Sequence, residues 1–150
     1  TGATNEYENA YDGISFNGNA FVDFYSINKN TNLVIQGRAL PFDKNDAVPL
    51  GYRTTIAGDF KIAIDQTDGF LINNKIYLED KLLGKIQDLK EAPYNFSTAV
   101  GTFNDRFVLT YAIKTFGPTT ALGTEDYEKA SEFVLISNKN NEIKVSSTAH

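Results

Sequence analysis

The chain has no cysteine, no methionine and no tryptophan, and its one histidine, His150, is the last residue. Without cysteine there is no disulfide, no thiolate nucleophile and no thiolate-held metal. The compartment stays open, because an exported protein that avoids oxidation without cross-links also reads this way. A Ser-His-Asp or Cys-His arrangement needs an imidazole fixed by its neighbours on a rigid scaffold. A terminal His150, native or the start of a tag, has no such neighbours. Positive charge is scarce as well: 14 Lys and Arg stand against 19 Asp and Glu, a net charge of −5. Nucleic-acid binding draws on clustered cations that release phosphate counterions, and here the cations are scattered, so nucleic acid is not an expected partner. No run approaches the roughly 18 apolar residues that span a bilayer, so no transmembrane segment is expected. No signal peptide opens the chain; Thr1-Gly2-Ala3-Thr4 lacks an initiator Met and reads as the start of a mature or excised segment.

What is present is a phenylalanine- and tyrosine-rich chain of 150 residues, 41% hydrophobic and 13% aromatic, enough for one core and a short appendage. Alternation with period two dominates. Ala20 to Ile27 is dense in aromatic and β-branched residues and follows Ile14-Ser15-Phe16 across Asn17-Gly18, a dipeptide suited to a tight hairpin. Leu33 to Leu40 reads as a strand stopped by Pro41. Asp59 to Asp65 alternates most cleanly, with Phe60, Ile62 and Ile64 on one face. Lys75 to Asp80 and Lys85 to Leu89 read as strands joined at Leu82-Leu83-Gly84, followed by Tyr94 to Thr98 and Arg106 to Ile113. Turn clusters at 43–46, 65–69 and 73–74 separate them. The pattern predicts an all-β fold, an antiparallel β-sandwich of Greek-key or jelly-roll type over residues 1–113. Residues 114–131, with Gly117-Pro118 and a charged stretch, read as a linker holding at most a helical turn at 125–130. Beyond it, Phe133 to Ile136 and Asn141 to Val145 read as a C-terminal β-hairpin, and two strands alone are marginal in water.

Candidate chemistry is thin. Asp59, Asp65, Asp68, Glu79, Asp80 and Asp88 are carboxylates from which a glycosidase needs only two, roughly 5 to 9.5 Å apart; their places at strand ends and on outward positions favour a solvated role. Asp43, Asn45 and Asp46 offer closely spaced oxygens for calcium, the one cofactor considered. They are not an EF-hand loop, since the sixth position is Val48 and the twelfth Thr54. Asn5-Glu6 with Glu8 and Asp12 is a second, weaker oxygen cluster, and turn chemistry explains both. The glycines at 58, 69, 84 and 101 are too far apart to cradle a phosphate. Arg38, Arg53 and Arg106 are expected to form structural ion pairs with carboxylates. Tyr7, Tyr11, Tyr25, Tyr52, Tyr77 and Tyr94 would be needed on one face to stack against a polysaccharide, and core or edge packing is the simpler expectation. Asn95-Phe96-Ser97 matches the glycosylation triplet at a frequency that chance supplies.

Several strings, taken in order, resemble a module found near the C-termini of large proteins exported by the type IX secretion system of Bacteroidota. They are Gly37-Arg38-Ala39-Leu40-Pro41-Phe42-Asp43, Val48-Pro49-Leu50-Gly51-Tyr52-Arg53-Thr54-Thr55-Ile56, Phe60 to Asp65, Asp68-Gly69, Ile76 to Leu82, Asp88-Leu89-Lys90 and Gly101 to Leu109. The resemblance spans about residues 1–112. Residues 132–150 are similar to the first strands of the sorting domain that such cargo carries, without its later strands. The resemblance implies a non-catalytic module of a secreted, adhesin-like protein at the outer cell surface, partnered by the secretion translocon or the attachment machinery. A carbohydrate-binding or calcium-dependent adhesive module is the alternative.

Overall fold

In the computed structural model the described residues are 2–112, 134–139 and 142–147, the last two stretches by their backbone alone. The chain divides into two compact units, Thr1–Thr115 and Phe116–His150. The linker expected at 114–131, its helical turn and His150 lie outside the described residues.

The first unit is an antiparallel all-β sandwich with very unequal layers. The large layer is one seven-stranded sheet in the order β1-β3-β2-β4-β9-β6-β7. Its strands are β1 (Gly13–Ile14), β2 (Val22–Asn28), β3 (Thr31–Ile35), β4 (Ala47–Thr54), β6 (Tyr77–Asp80), β7 (Lys85–Asp88) and β9 (Gly101–Thr110). The small layer has two strands, β5 (Gly58–Ile62) and β8 (Tyr94–Thr98). The core lies between the layers: Val48, Leu50, Tyr52, Leu78 and Phe107 of the large sheet meet Tyr94 of the small one, with Phe96 and Ile62 packed alongside. The Phe96 ring stands edge-on to Phe107 at 4.9 Å and to Tyr52 at 5.5 Å, geometries that add to plain area burial. As the alternation predicts, Phe60, Ile62 and Ile64 are partly buried while Lys61, Ala63 and Asp65 are exposed. The second unit contains the expected hairpin, β10 (Val134–Lys139) against β11 (Glu142–Ser147), in register from Val134↔Ser147 to Lys139↔Glu142.

Three departures from the sequence reading have physical reasons. The Asn17-Gly18 hairpin does not form. β1 pairs with β3, not β2 (Ile14↔Leu33), and Phe16 is 87% exposed. Both edges of β2 are already taken, by β3 through the tight turn at Lys29 (φ 54°) and by β4. β3 ends at Ile35 rather than Leu40, because side chains of the N-terminal segment claim the backbone beyond it. The Gly37 N–H donates to Asp12 Oδ1 (2.8 Å) and the Ala39 N–H to Asn5 Oδ1 (2.9 Å).

The central strand β4 is the element least visible in the sequence, since Pro49 and Gly51 both read as strand breakers. The β2–β4 ladder ends at Ser26↔Leu50, so Pro49 costs it no donor. Gly51 is required by a close approach: a Cβ there would meet the Tyr25 ring at 2.4 Å and Asn104 Oδ1 at 2.6 Å.

Candidate functional site

The sheet register creates the most unusual polar feature of the first unit. Leu50 pairs with Phe107 and Tyr52 with Phe103, so the single residue Gly51 faces three residues of β9, Asn104 to Arg106. This bulge breaks the strict alternation of β9. Arg106 and Phe107 are neighbours, yet both are buried, at 7% and 0% exposure. Arg106 is thereby placed beside Asp80, which closes β6 opposite Phe107 and is itself fully buried.

Two charges inside a protein persist only when their hydrogen-bonding capacity is met. Here it is met from both layers. Arg106 Nη2 donates to Asp80 Oδ2 at 2.8 Å, and Nε reaches both carboxylate oxygens at 3.2 Å. Arg106 Nη1 donates to the Ser97 carbonyl of β8 at 3.2 Å. The guanidinium carbon lies 4.9 Å from the ring centre of Phe96 and 4.8 Å from that of Phe107, within cation–π range. Asp80 also accepts from the Tyr94 hydroxyl (2.7 Å) and from the N–H groups of Leu82 and Leu83 in the β6–β7 turn. Burial pushes the Asp80 carboxyl up, but Arg106, Tyr94 and the Leu83 N–H together outweigh it and hold the group below the ordinary carboxylate value. Burial and the neighbouring Asp80 carboxylate push the Tyr94 hydroxyl up to about 12.

Two shallow recesses flank this cluster. One, about 360 Å³, is lined by Lys81, Leu82, Phe103, Asp105 and Arg106. Arg106 forms part of its wall, but its donors are committed to Asp80 and Ser97, so it offers little to an incoming anion. The other, about 220 Å³, lies where β5 overhangs β2 and is lined chiefly by apolar and aromatic side chains, among them Phe24, Tyr52, Phe60 and Phe96. It is smaller than the roughly 300–1,000 Å³ of a typical small-molecule site. No group of three or more His, Cys, Asp or Glu side chains suited to a metal occurs among the described residues.

The family described as a domain of unknown function, DUF8693, matches residues 1–111. The chain belongs to it. No curated protein and no solved structure matches the chain.

In this DUF8693 chain the sequence candidates are dispersed. Asp43 Oδ1 accepts the Asn45 N–H at 2.8 Å, the closing bond of a turn, and Asp46 is held by Arg38 through Nε (2.7 Å) and Nη2. A guanidinium on Asp46 competes with any cation for the same oxygens. In the second oxygen cluster, Glu8 accepts from Thr4, Asp12 from Glu8 and Gly37, Asn5 from Ala39, and Glu6 pairs with Lys29.

The three arginines do pair with carboxylates: Arg38 with Asp46, Arg53 with Asp23 and Arg106 with Asp80. The solvated role expected of the carboxylates is wrong for two of them. Asp80 is sealed in the core, and Asp88, 8% exposed, is paired with Lys75 at 2.6 Å. Asp59, Asp65 and Asp68 are exposed. The six tyrosines do not form a platform: Tyr25, Tyr52 and Tyr94 are buried, while Tyr7 and Tyr11 are about two-fifths exposed. Asn95 and Ser97 lie on β8, where Ser97 Oγ donates to Asp59 at 2.5 Å. The sequence reading missed the partnership of Arg106 with Asp80 and Tyr94. The only local hint is Arg106 standing directly before Phe107 in an otherwise alternating run.

Proposed function

We propose that the chain is a non-catalytic module of a secreted, adhesin-like surface protein, exported by the type IX system, which ends the passenger as a stable folded unit ahead of a sorting signal. The Asp80–Arg106–Tyr94 cluster carries the structural half of this reading. Its donors and acceptors are turned on one another, tying β6, β9 and β8 together across the two layers. A core held this way suits a module whose task is to stay folded beside an export signal. The ordered strings between residues 1 and 112 support the export half, and the partner they suggest is the secretion translocon or the attachment machinery.

The test is deletion of residues 1–112 from the parent protein in a bacterium with an active type IX system. The passenger is expected to accumulate in the cell or be degraded. Undiminished delivery to the surface would overturn the reading.

A further inference from the structure

We propose that the open edge of β5, with the apolar recess beneath it, accepts an extended peptide segment as an additional strand of the small sheet. β5 is hydrogen-bonded, among the described residues, on one side only, to β8. Among the described residues no other backbone hydrogen bond reaches residues 58–62. An unpaired edge of this kind is a template for a further strand. Phe60, Lys61 and Ile62 of β5 and Ala63 just beyond it all line the recess, with Val22 and Phe24 of β2 opposite.

The large sheet continues past β4 through β2, β3 and β1, three strands beyond those that meet the small layer in the core. On this side Phe24 is 44% exposed and Ile35 64% exposed. A strand laid about 4.8 Å from β5 would therefore have a floor under it, and its inward side chains would fall on Phe24 and Val22. The 220 Å³ of the recess suits one or two apolar side chains.

The same floor argues against a second copy of the chain as the occupant. Pairing β5 with β5 of another copy would bring in that copy's own seven-stranded sheet, whose β2, β3 and β1 would compete for the space the first copy's floor already fills. A lone strand brings no second layer. Its chemistry follows from β5: inward positions, continuing Phe60 and Ile62, are apolar, and outward positions run alongside Asp59 and Lys61, which is exposed and makes no ion pair among the described residues. Asp59 keeps its charge but is turned toward Ser97 of β8 and does not line the recess, whereas Lys61 does, so Lys61 sets the charge preference at the open edge. The guest is an alternating apolar and acidic segment. The inference does not depend on the export reading.

The experiment uses the full chain and a labelled short peptide of alternating valine and glutamate, read by fluorescence anisotropy. The controls are its valine–lysine counterpart and a version N-methylated at alternate residues. The valine–glutamate peptide is expected to bind saturably, the N-methylated one not at all, because it cannot form the ladder. Lys61→Glu, a change on an exposed side chain, should weaken the acidic peptide about fivefold and favour the lysine one, the scale of an exposed ion pair. Bound peptide should also slow amide exchange within residues 58–62. The proposal is overturned by no saturable binding, by binding that tolerates N-methylation, or by indifference to Lys61→Glu. It is equally overturned by sedimentation showing that the chain self-associates and loses that association on Lys61→Glu, which would make a second copy the occupant.

Discussion

Replacing Asp80 with Asn tests whether the buried ion pair governs the stability of the first unit. The substitution keeps size and one acceptor while removing the charge. Arg106, 7% exposed and wedged against Phe96 and Phe107, would then carry a buried positive charge with no counter-ion. Breaking a buried pair from one side costs about 3–5 kcal/mol. An exposed pair is worth about 0–1 kcal/mol, and total stabilities run about 5–15 kcal/mol. Asp80→Asn should therefore remove a large fraction of the stability and lower Tm by on the order of 10 °C or more. Urea unfolding followed by tyrosine fluorescence and far-ultraviolet circular dichroism measures it. The companion variant removes all three polar partners, as Asp80→Leu, Arg106→Met and Tyr94→Phe together. Since no charge is then stranded, it should lose far less than the single change. A cost below about 1 kcal/mol for Asp80→Asn would refute the reasoning, because that is the value of a solvated pair. A triple variant less stable than the single one would refute the claim that the stranded charge causes the loss.

Other outcomes follow from the same geometry. Gly51→Ala should cost about 1–3 kcal/mol, since its Cβ would meet the Tyr25 ring and Asn104 Oδ1, while Ala at the open position Gly18 should change the urea midpoint little. Asp23, Asp80 and Asp88 all have folded values below 3.8: the Asn19 N–H and Arg53 hold Asp23 down, and for the other two burial opposes the shift but Arg106 and Lys75 overcome it. Their stabilisation is complete above the unfolded carboxylate value and disappears as pH falls through the lower folded values, so acid unfolding should fall below about pH 4 and be shallower in Asp80→Asn. Tyr94, raised from 10.0 to about 12, favours its neutral form in the fold. That stability is present below pH 10 and declines as pH rises toward 12, and Tyr94→Phe should flatten this alkaline limb at a neutral-pH cost of about 1 kcal/mol. Calcium should leave the thermal midpoint of the full chain unchanged, because Arg38 occupies Asp46; an upward shift abolished by Asp43→Ala would restore the 43–46 loop as a metal site.

The parts of the fold that could be read from the sequence are those fixed by residues adjacent in the chain. β8 spans the predicted Tyr94–Thr98, and the β6–β7 hairpin turns at Leu82-Leu83-Gly84 with Gly84 at φ 61°. Those elements need only alternation and a residue that tolerates positive φ. β4 needs something else. It lies between β2 and β9, and it holds both a proline and a glycine because its neighbours accommodate them. Whether Gly51 breaks a strand or makes room for a tyrosine depends on Tyr25, twenty-six positions earlier, and on Asn104, far downstream.

The polar cluster was hidden for a related reason. Alternation sorts Asp80 and Arg106 into inward or outward positions only if each strand keeps its period, and the bulge opposite Gly51 interrupts that period in β9. An inward Arg next to an inward Phe violates the two-residue repeat, and a violation is resolved only by knowing what lies across the sheet. β5 shows the reverse: its alternation correctly sorted Phe60, Ile62 and Lys61, yet nothing within those residues tells whether one or both edges of the strand are filled. Periodicity reports the direction of a side chain, whereas pairing is decided by segments far away in the chain. The glycine that admits Tyr25, the bulge that turns Arg106 inward and the open edge of β5 all belong to pairing. For that reason the two features most able to carry function here emerged from strand order and register, not from any motif.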